Sequence, residues 1–247
     1  MAGDNLIPKN KMDLQNEIAR IAKETGQAEA EIKAQLDTFK QQGYSDQAAV
    51  AVLKSQPTVK NRLGGKIIDN ALIVPFSKDT PRDVTTKRGP AKVANVSVFV
   101  KDAGKWSAAQ ISLWDDAIDA SLAKFEVGKP VKATIRAKEG SDRITVLGDI
   151  KPDATPVKPL GELAEQVGLL KLSQIASVVG NDCFVNGIIG RTFTTQYGGG
   201  IEISDVGSNP ITVYVEDLGT MKVGDEVVVA GRVLEKNGAI TIRGTIL

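Results

Sequence analysis

The stretch Val93-Ala-Asn-Val-Ser-Val-Phe-Val-Lys-Asp-Ala-Gly-Lys-Trp-Ser-Ala-Ala-Gln-Ile-Ser-Leu-Trp-Asp-Asp116 decides the fold. Val96, Val98 and Val100, then Ile111 and Leu113, recur at every second position. Successive side chains of a strand point to opposite faces, so this spacing predicts two strands, Val93 to Lys101 and Ser107 to Trp114, turned back at Ala103-Gly104. The aliphatic set fills a core. Asn95, Ser97, Phe99 and Lys101, with Gln110, Ser112 and Trp114, share the other face. Two large aromatics on a polar face are unfavourable in water unless something covers them.

Ile67 to Phe76 reads as a preceding strand, joined to this pair by a long polar loop, Ser77 to Lys92, that carries Lys78, Arg82, Lys87, Arg88 and Lys92. Downstream, Asp115 is placed to cap a helix running to Phe125. Lys129 to Lys138 and Arg143 to Leu147 read as two further strands around a Glu139-Gly140 turn. Three strands, a helix and two strands within residues 61–151 is the order of an OB-type barrel, which binds oligonucleotides on the face of its second and third strands. An aromatic there stacks on a base for about 1–3 kcal/mol.

A nucleic-acid site follows from that pattern. Phe99 and Trp114 supply the stacking surface, and Ser97, Lys101, Gln110 and Ser112 line it. The basic loop, with Lys138 and Arg143 at the last turn, supplies cations for phosphates. Trp106, at the hairpin tip, reads equally as a contact and as a local anchor. Two plainer readings stay open: Phe99 and Trp114 packed beneath a linker or helical module, and a basic loop that is simply solvated.

Residues 1–60 read as helical. Leu14, Ile18, Ile21 and Ala22 share a face of a helix over Asp13 to Lys23, which Gly26 ends, and Ile32, Leu36 and Phe39 share a face over Ala28 to Gln42, which Gly43 ends. Ser45 is placed to cap a third helix carrying Ala48, Ala49, Val52 and Leu53. Such a module suits an adaptor or a self-association piece. Lys151 to Pro159, with three prolines, reads as a linker, followed by a short amphipathic helix around Leu160 to Leu170 (152–170 together).

Residues 171–247 repeat the barrel plan, with strands at Cys183 to Thr192, Tyr197 to Ser204, Ile211 to Val215, Asp225 to Leu234 and Ala239 to Ile246. Lys236-Asn-Gly238 signals a tight turn, and Gly198-Gly-Gly200 reads as a flexible hairpin tip. Arg191, Phe193, Tyr197 and Tyr214 are secondary binding candidates. The fold class is therefore mainly β, with an N-terminal α-helical module and two OB-fold barrels in tandem.

The net charge of +1 hides an asymmetry: residues 61–151 hold 16 Lys/Arg against 11 Asp/Glu, and residues 152–247 hold 7 against 11. The first barrel therefore suits a polyanion, and the second reads more readily as a protein-interaction or self-association barrel. One cysteine and no histidine rule out an internal disulfide and Ser–His chemistry. With no phosphate-cradling glycine loop either, the expectation is a protein without catalysis, cofactor or metal. Apolar runs too short for a bilayer, and a start unlike a signal peptide, predict a cytoplasmic protein with no membrane partner.

The run from Val84 to Val98, the Gly104-Lys-Trp turn and Ile111-Ser-Leu-Trp-Asp-Asp116 resemble the DNA-binding OB domains of archaeal replication protein A. Phe125-Glu-Val-Gly-Lys-Pro-Val131 is similar to that family's lead-in to strand four, and Ile18 to Thr25 with Gly43 to Ala49 is similar to its amino-terminal region. The resemblance spans most of residues 14–150, and Leu-Trp-Asp-Asp with its following helix is its most specific part. It implies binding of single-stranded DNA with little sequence preference, in replication, repair or recombination, with Trp114 as the strand-three tryptophan and Phe99 as a base contact. The last loop, Ala137 to Arg143, lacks the aromatic that related barrels often carry. RNA binding, on a ribosome or tRNA, and a structural role with both barrels as protein docks remain the alternatives.

Overall fold

A computed structural model describes residues 14–25, 29–41, 44–46, 49–50, 53, 63, 65–138, 141–196 and 198–247. The chain divides into two compact units, Met1–Gln56 and Pro57–Leu247.

In the first unit, α1 (Leu14–Thr25) and α2 (Glu29–Gln41) pack through the predicted apolar faces. Ile18, Ile21, Ile32 and Leu36 are buried together with Ala49, Val50 and Leu53, and Phe39 packs at their margin. Gly26, Gly43, Ala48 and Val52, and with them most of the expected third helix, lie outside the described residues.

In the second unit the first barrel comprises β1 (Ile67–Lys78), β2 (Arg82–Thr86), β3 (Gly89–Asp102), β4 (Lys105–Trp114), α3 (Asp116–Ser121), β5 (Val131–Ala137) and β6 (Arg143–Pro152). β1 pairs antiparallel with β3 and β5, β3 with β4, and β5 with β6, while β4 and β6 close the ring in parallel. Ala94, Val96, Val98 and Val100 of β3 face Ala109, Ile111 and Leu113 of β4 in the interior, where Ile118 and Phe125 join them. The five ring strands β1, β3, β4, β5 and β6 in this order, with a helix between β4 and β5, make an OB-type barrel.

Two local expectations are corrected. The polar loop Ser77 to Lys92 is largely a hairpin arm, because β2 pairs with the first residues of β3. Arg-Asp-Val-Thr-Thr has enough β-branched character to hold that ladder, and Lys87-Arg88 form its turn. Asp115 does not cap α3 with its side chain. Its carboxylate instead accepts the Lys92 N–H at 2.7 Å, while its own N–H donates to the Lys92 carbonyl at 3.0 Å. That exchange pins the arm to the end of β4.

The second barrel comprises β7 (Asp182–Thr195), β8 (Gly198–Ser204), β9 (Ile211–Val215), β10 (Glu226–Lys236) and β11 (Ala239–Ile246). It closes in the same order, with β9 and β11 parallel. Lys236 pairs with Ala239 across Asn237 and Gly238, at φ 54° and 76°, the left-handed pair that a two-residue hairpin requires. Gly198-Gly199-Gly200 is not a flexible tip: all three lie in β8, paired with Thr195, Thr194 and Phe193.

The Pro-rich segment is fastened down. Asp153 donates its N–H to the Pro130 carbonyl at 3.0 Å and pairs with Lys132 at 2.7 Å. Beyond it α4 (Leu160–Val167) buries Leu163 and Ala164 in a seam between the barrels. Val74, Phe76, Phe99, Trp106 and Ala108 of the first barrel meet Phe184 and Ala230 of the second there. The Phe76, Phe99 and Phe184 rings lie 4.5–5.5 Å apart by centroid, within the range for favourable aromatic pairs. No described helix is long and apolar enough to cross a membrane.

Candidate nucleic-acid interface

The outer face of β3 and β4 is built from paired rows: Val93 with Trp114, Asn95 with Ser112, Ser97 with Gln110, Phe99 with Ala108, and Lys101 with Trp106. The seam covers one end and leaves the other open. Phe99 is fully buried and Trp106 is 8% exposed, whereas Trp114 is 43% exposed. Phe99 is thus corrected from a base contact to a docking residue, because it is fully buried with the Phe76 and Phe184 rings packed against it. Trp106 is the anchor of its two readings, and Lys101 sits at the edge of the seam with its ammonium 5.7 Å from the Trp106 ring centroid.

The open end gathers a compact set. Arg82 pairs with Val93, which pairs with Trp114, so the three share one row and one face. With strands about 4.8 Å apart, the Arg82 and Trp114 backbones are about 10 Å apart, within the span of a nucleotide. Asn95 donates to Asp79 at 2.9 Å and accepts from the Ser112 hydroxyl at 2.9 Å, a chain that holds polar groups beside the ring. Ser97, Gln110 and Arg143 form the next row, since Gln110 is also the parallel partner of Arg143. Lys138 lies beside them, its N–H donating to the Arg143 carbonyl at 3.2 Å. Asn95 belongs to this surface by position, and its place on the outward face of the second strand was the signal for it.

The remaining basic residues are dispersed. Lys87 and Arg88 stand exposed at the turn of the arm, where Thr86 Oγ1 accepts the Arg88 N–H at 3.1 Å. Lys92 pairs with Asp83, on the face of the arm opposite Arg82. It borders a cleft of about 570 Å³ that also has Asp83, Asp115, Asp116 and Asp119 on its walls, an electrostatic lining that opposes phosphate. Lys78 ends β1 near Glu126, whose carboxyl is held below its ordinary range first by a hydrogen bond from Lys129 and more weakly by the field of Lys78.

On the second barrel Phe193 and Tyr214 meet edge to face at 6.2 Å, and Tyr214 is 41% exposed. The Arg191 guanidinium lies 5.6 Å from the Phe193 centroid and 3.4 Å from Glu202. Tyr197 lies outside the described residues. Burial pushes the Cys183 thiol up to about 12, with the neighbouring Asp182 adding to the shift, so it behaves as a small core residue.

No known family and no curated protein matches the chain. Solved structures do resemble it. A replication protein A heterotrimer bound to ssDNA is 15% identical with a TM-score of 0.44, over 74% of this chain and 48% of that one. The p202 HIN1 domain in complex with a 12-mer dsDNA is 12% identical with a TM-score of 0.40, over 78% and 98%. The Ifi202 HINa domain in complex with a 20-bp dsDNA is 14% identical with a TM-score of 0.40, over 74% and 96%.

Proposed function

We propose that this chain binds single-stranded nucleic acid, DNA in the first place, through the open end of the β3–β4 face. The observation that carries this reading is Trp114: a large ring, 43% exposed, on a row with Arg82 and beside a hydrogen-bonded polar chain. An unstacked base covers such a ring, with Arg82 on its row and Arg143 on the Ser97–Gln110 row further along the face to meet the backbone. Duplex DNA keeps its bases stacked on each other and offers the ring nothing equivalent. Recognition is by stacking and charge, so sequence preference is low, as suits a non-catalytic protein of DNA replication, repair or recombination in the manner of replication protein A. RNA binding is the nearest alternative, separated by how a 2′-hydroxyl fits against Ser97, Gln110 and Ser112.

A second reading takes the tandem as a structural subunit. The seam favours it, because half of the face that OB barrels use for oligonucleotides already serves protein packing. Titration of the full chain with oligo-dT, oligo-U and duplex DNA at low and high salt decides between them. Salt-sensitive binding, strongest for dT and weakest for duplex, supports the DNA reading. Absence of binding to all three at low salt supports the structural one.

A further inference from the structure

The Asn95 side chain is held from both flanks of its strand. Asp79 directly follows β1 and continues its ladder with β3, its N–H donating to the Asn95 carbonyl at 2.8 Å. The Asp79 carboxylate accepts from Asn95 Nδ2 at 2.9 Å, and from the opposite flank the Ser112 hydroxyl donates to Asn95 Oδ1 at 2.9 Å. A carboxylate offers only lone pairs, so the amide nitrogen faces Asp79 and the amide oxygen faces Ser112. An asparagine on a sheet surface is ordinarily free to turn its amide over. This one is fixed.

What the two partners leave over carries the inference. An asparagine amide has two N–H donors and two lone pairs. Asp79 takes one donor and Ser112 takes one lone pair, which leaves one of each for a ligand. Ser112 has given its proton to Asn95, so its oxygen meets a ligand as an acceptor. From β1 across β3 to β4 the row thus offers a donor at Asn95 Nδ2, an acceptor at Asn95 Oδ1 and an acceptor at Ser112 Oγ. Asn95 and Ser112 are only half-buried, so a ligand reaches them. Trp114 stands on the same face, two residues along β4 from Ser112, and a base that covers its ring brings an edge over this row.

Donor, acceptor, acceptor is the order of cytosine's own pairing edge: amine, ring nitrogen, carbonyl. Its complement is acceptor, donor, donor, which among the bases is the Watson–Crick edge of guanine, with O6, N1–H and N2–H. Thymine and uracil match the amide but set a second carbonyl against Ser112 Oγ, where two acceptors repel. Adenine and cytosine match the amide alone, and only when turned over.

We propose that Asn95 and Ser112 read a guanine stacked on Trp114. A face that otherwise recognises a strand by stacking and charge then has one base-specific position. This rests on that face binding nucleic acid.

The test is the affinity of the full chain, at low salt, for three oligo-dT strands of about 12 nucleotides, a length one barrel can occupy. Every third thymine is replaced by guanine in one strand, by inosine in the second and by adenine in the third. All three are purines, so stacking is alike, the spacing avoids four-stranded guanine assemblies, and inosine differs from guanine only in lacking the N2 amine. Wild type binds the guanine strand about tenfold tighter than the other two, within the range for a good bidentate base contact. Asn95→Ala binds the three alike. Ser112→Ala binds the guanine and inosine strands alike. Each comparison is between strands on one protein, so a general loss of stability or of stacking cancels. Equal binding of the three strands by wild type, or a guanine preference that persists in Asn95→Ala, overturns the base reading and leaves the stacking reading standing. If wild type binds none of the strands, both are wrong.

Discussion

Phe99 and Phe184 belong to different barrels, yet their ring centroids lie 5.5 Å apart with the planes 31° from parallel. Phe99 projects outward from the first barrel, and Phe184 outward from the second, so each is the other's solvent shield. Phe76 and the α4 residues Leu163 and Ala164 complete the cover. An outward aromatic on an OB barrel has here become an internal joint, and the part of that face left exposed is the end that carries Trp114.

Removing either ring of that joint is therefore a stability change. Phe99→Ala and Phe184→Ala each destabilise the second unit by about 3–5 kcal/mol, the range for a buried Phe replaced by Ala. Their double mutant recovers about 0.5–1.5 kcal/mol of coupling for an aromatic pair in contact. Urea unfolding of the four proteins gives both numbers. Strict additivity contradicts the joint.

Trp114→Ala behaves in the opposite way. With 43% of its surface exposed, its loss changes the unfolding midpoint little. Its loss lowers affinity for a single strand by about 1–3 kcal/mol, the worth of one stacked base. Paired urea and anisotropy titrations check the split, and a large stability loss with unchanged affinity contradicts it.

The hairpin arm makes a separate electrostatic prediction. Lys87 and Arg88 are exposed at its turn, and neither belongs to the row of Trp114. Replacing both by Ala weakens single-strand binding at low salt and reduces the slope of log affinity against log salt by up to about 0.7 for each phosphate that is no longer neutralised. Fluorescence quenching at saturation stays that of wild type, because the stacked ring is elsewhere. An unchanged salt slope means that the arm tip does not meet the backbone.

Acid weakens the second unit in a defined window. Hydrogen bonds from Lys132 and from Thr155 hold the Asp153 carboxyl at about 2, below its ordinary 3.8. A carboxyl lowered in the folded state contributes stability above its ordinary value and loses it as pH falls through the folded one. The contribution is thus present above pH 3.8 and drains away towards pH 2. Asp153→Asn flattens the pH dependence of unfolding across that window, and an unchanged profile contradicts the assignment.

The barrels were legible in the sequence because period-two aliphatic residues have one physical solution on a closed sheet: Val96, Val98, Val100, Ile111 and Leu113 all face the interior. The helix face of Ile18, Ile21, Ile32 and Leu36 was legible for the corresponding reason at period 3.6. Phe99 was not. An outward phenylalanine satisfies the same pattern whether a base or another domain covers it, and only the placement of Phe184 distinguishes the two. The arm was hidden because Arg82 to Thr86 is polar, although its Val-Thr-Thr and the following Lys-Arg-Gly were the available strand and turn signals.

The two tryptophans allow the most direct test of the central claim, since Trp106 is buried in the seam and Trp114 is exposed on the proposed site. The measurement is a fluorescence titration with oligo-dT of Trp106→Phe, which reports Trp114 alone, beside Trp114→Phe, which reports Trp106 alone. Quenching that persists in Trp106→Phe and vanishes in Trp114→Phe is the predicted result. Quenching confined to Trp114→Phe, or absent from Trp106→Phe while the oligomer still binds, would place the single strand elsewhere and contradict the account.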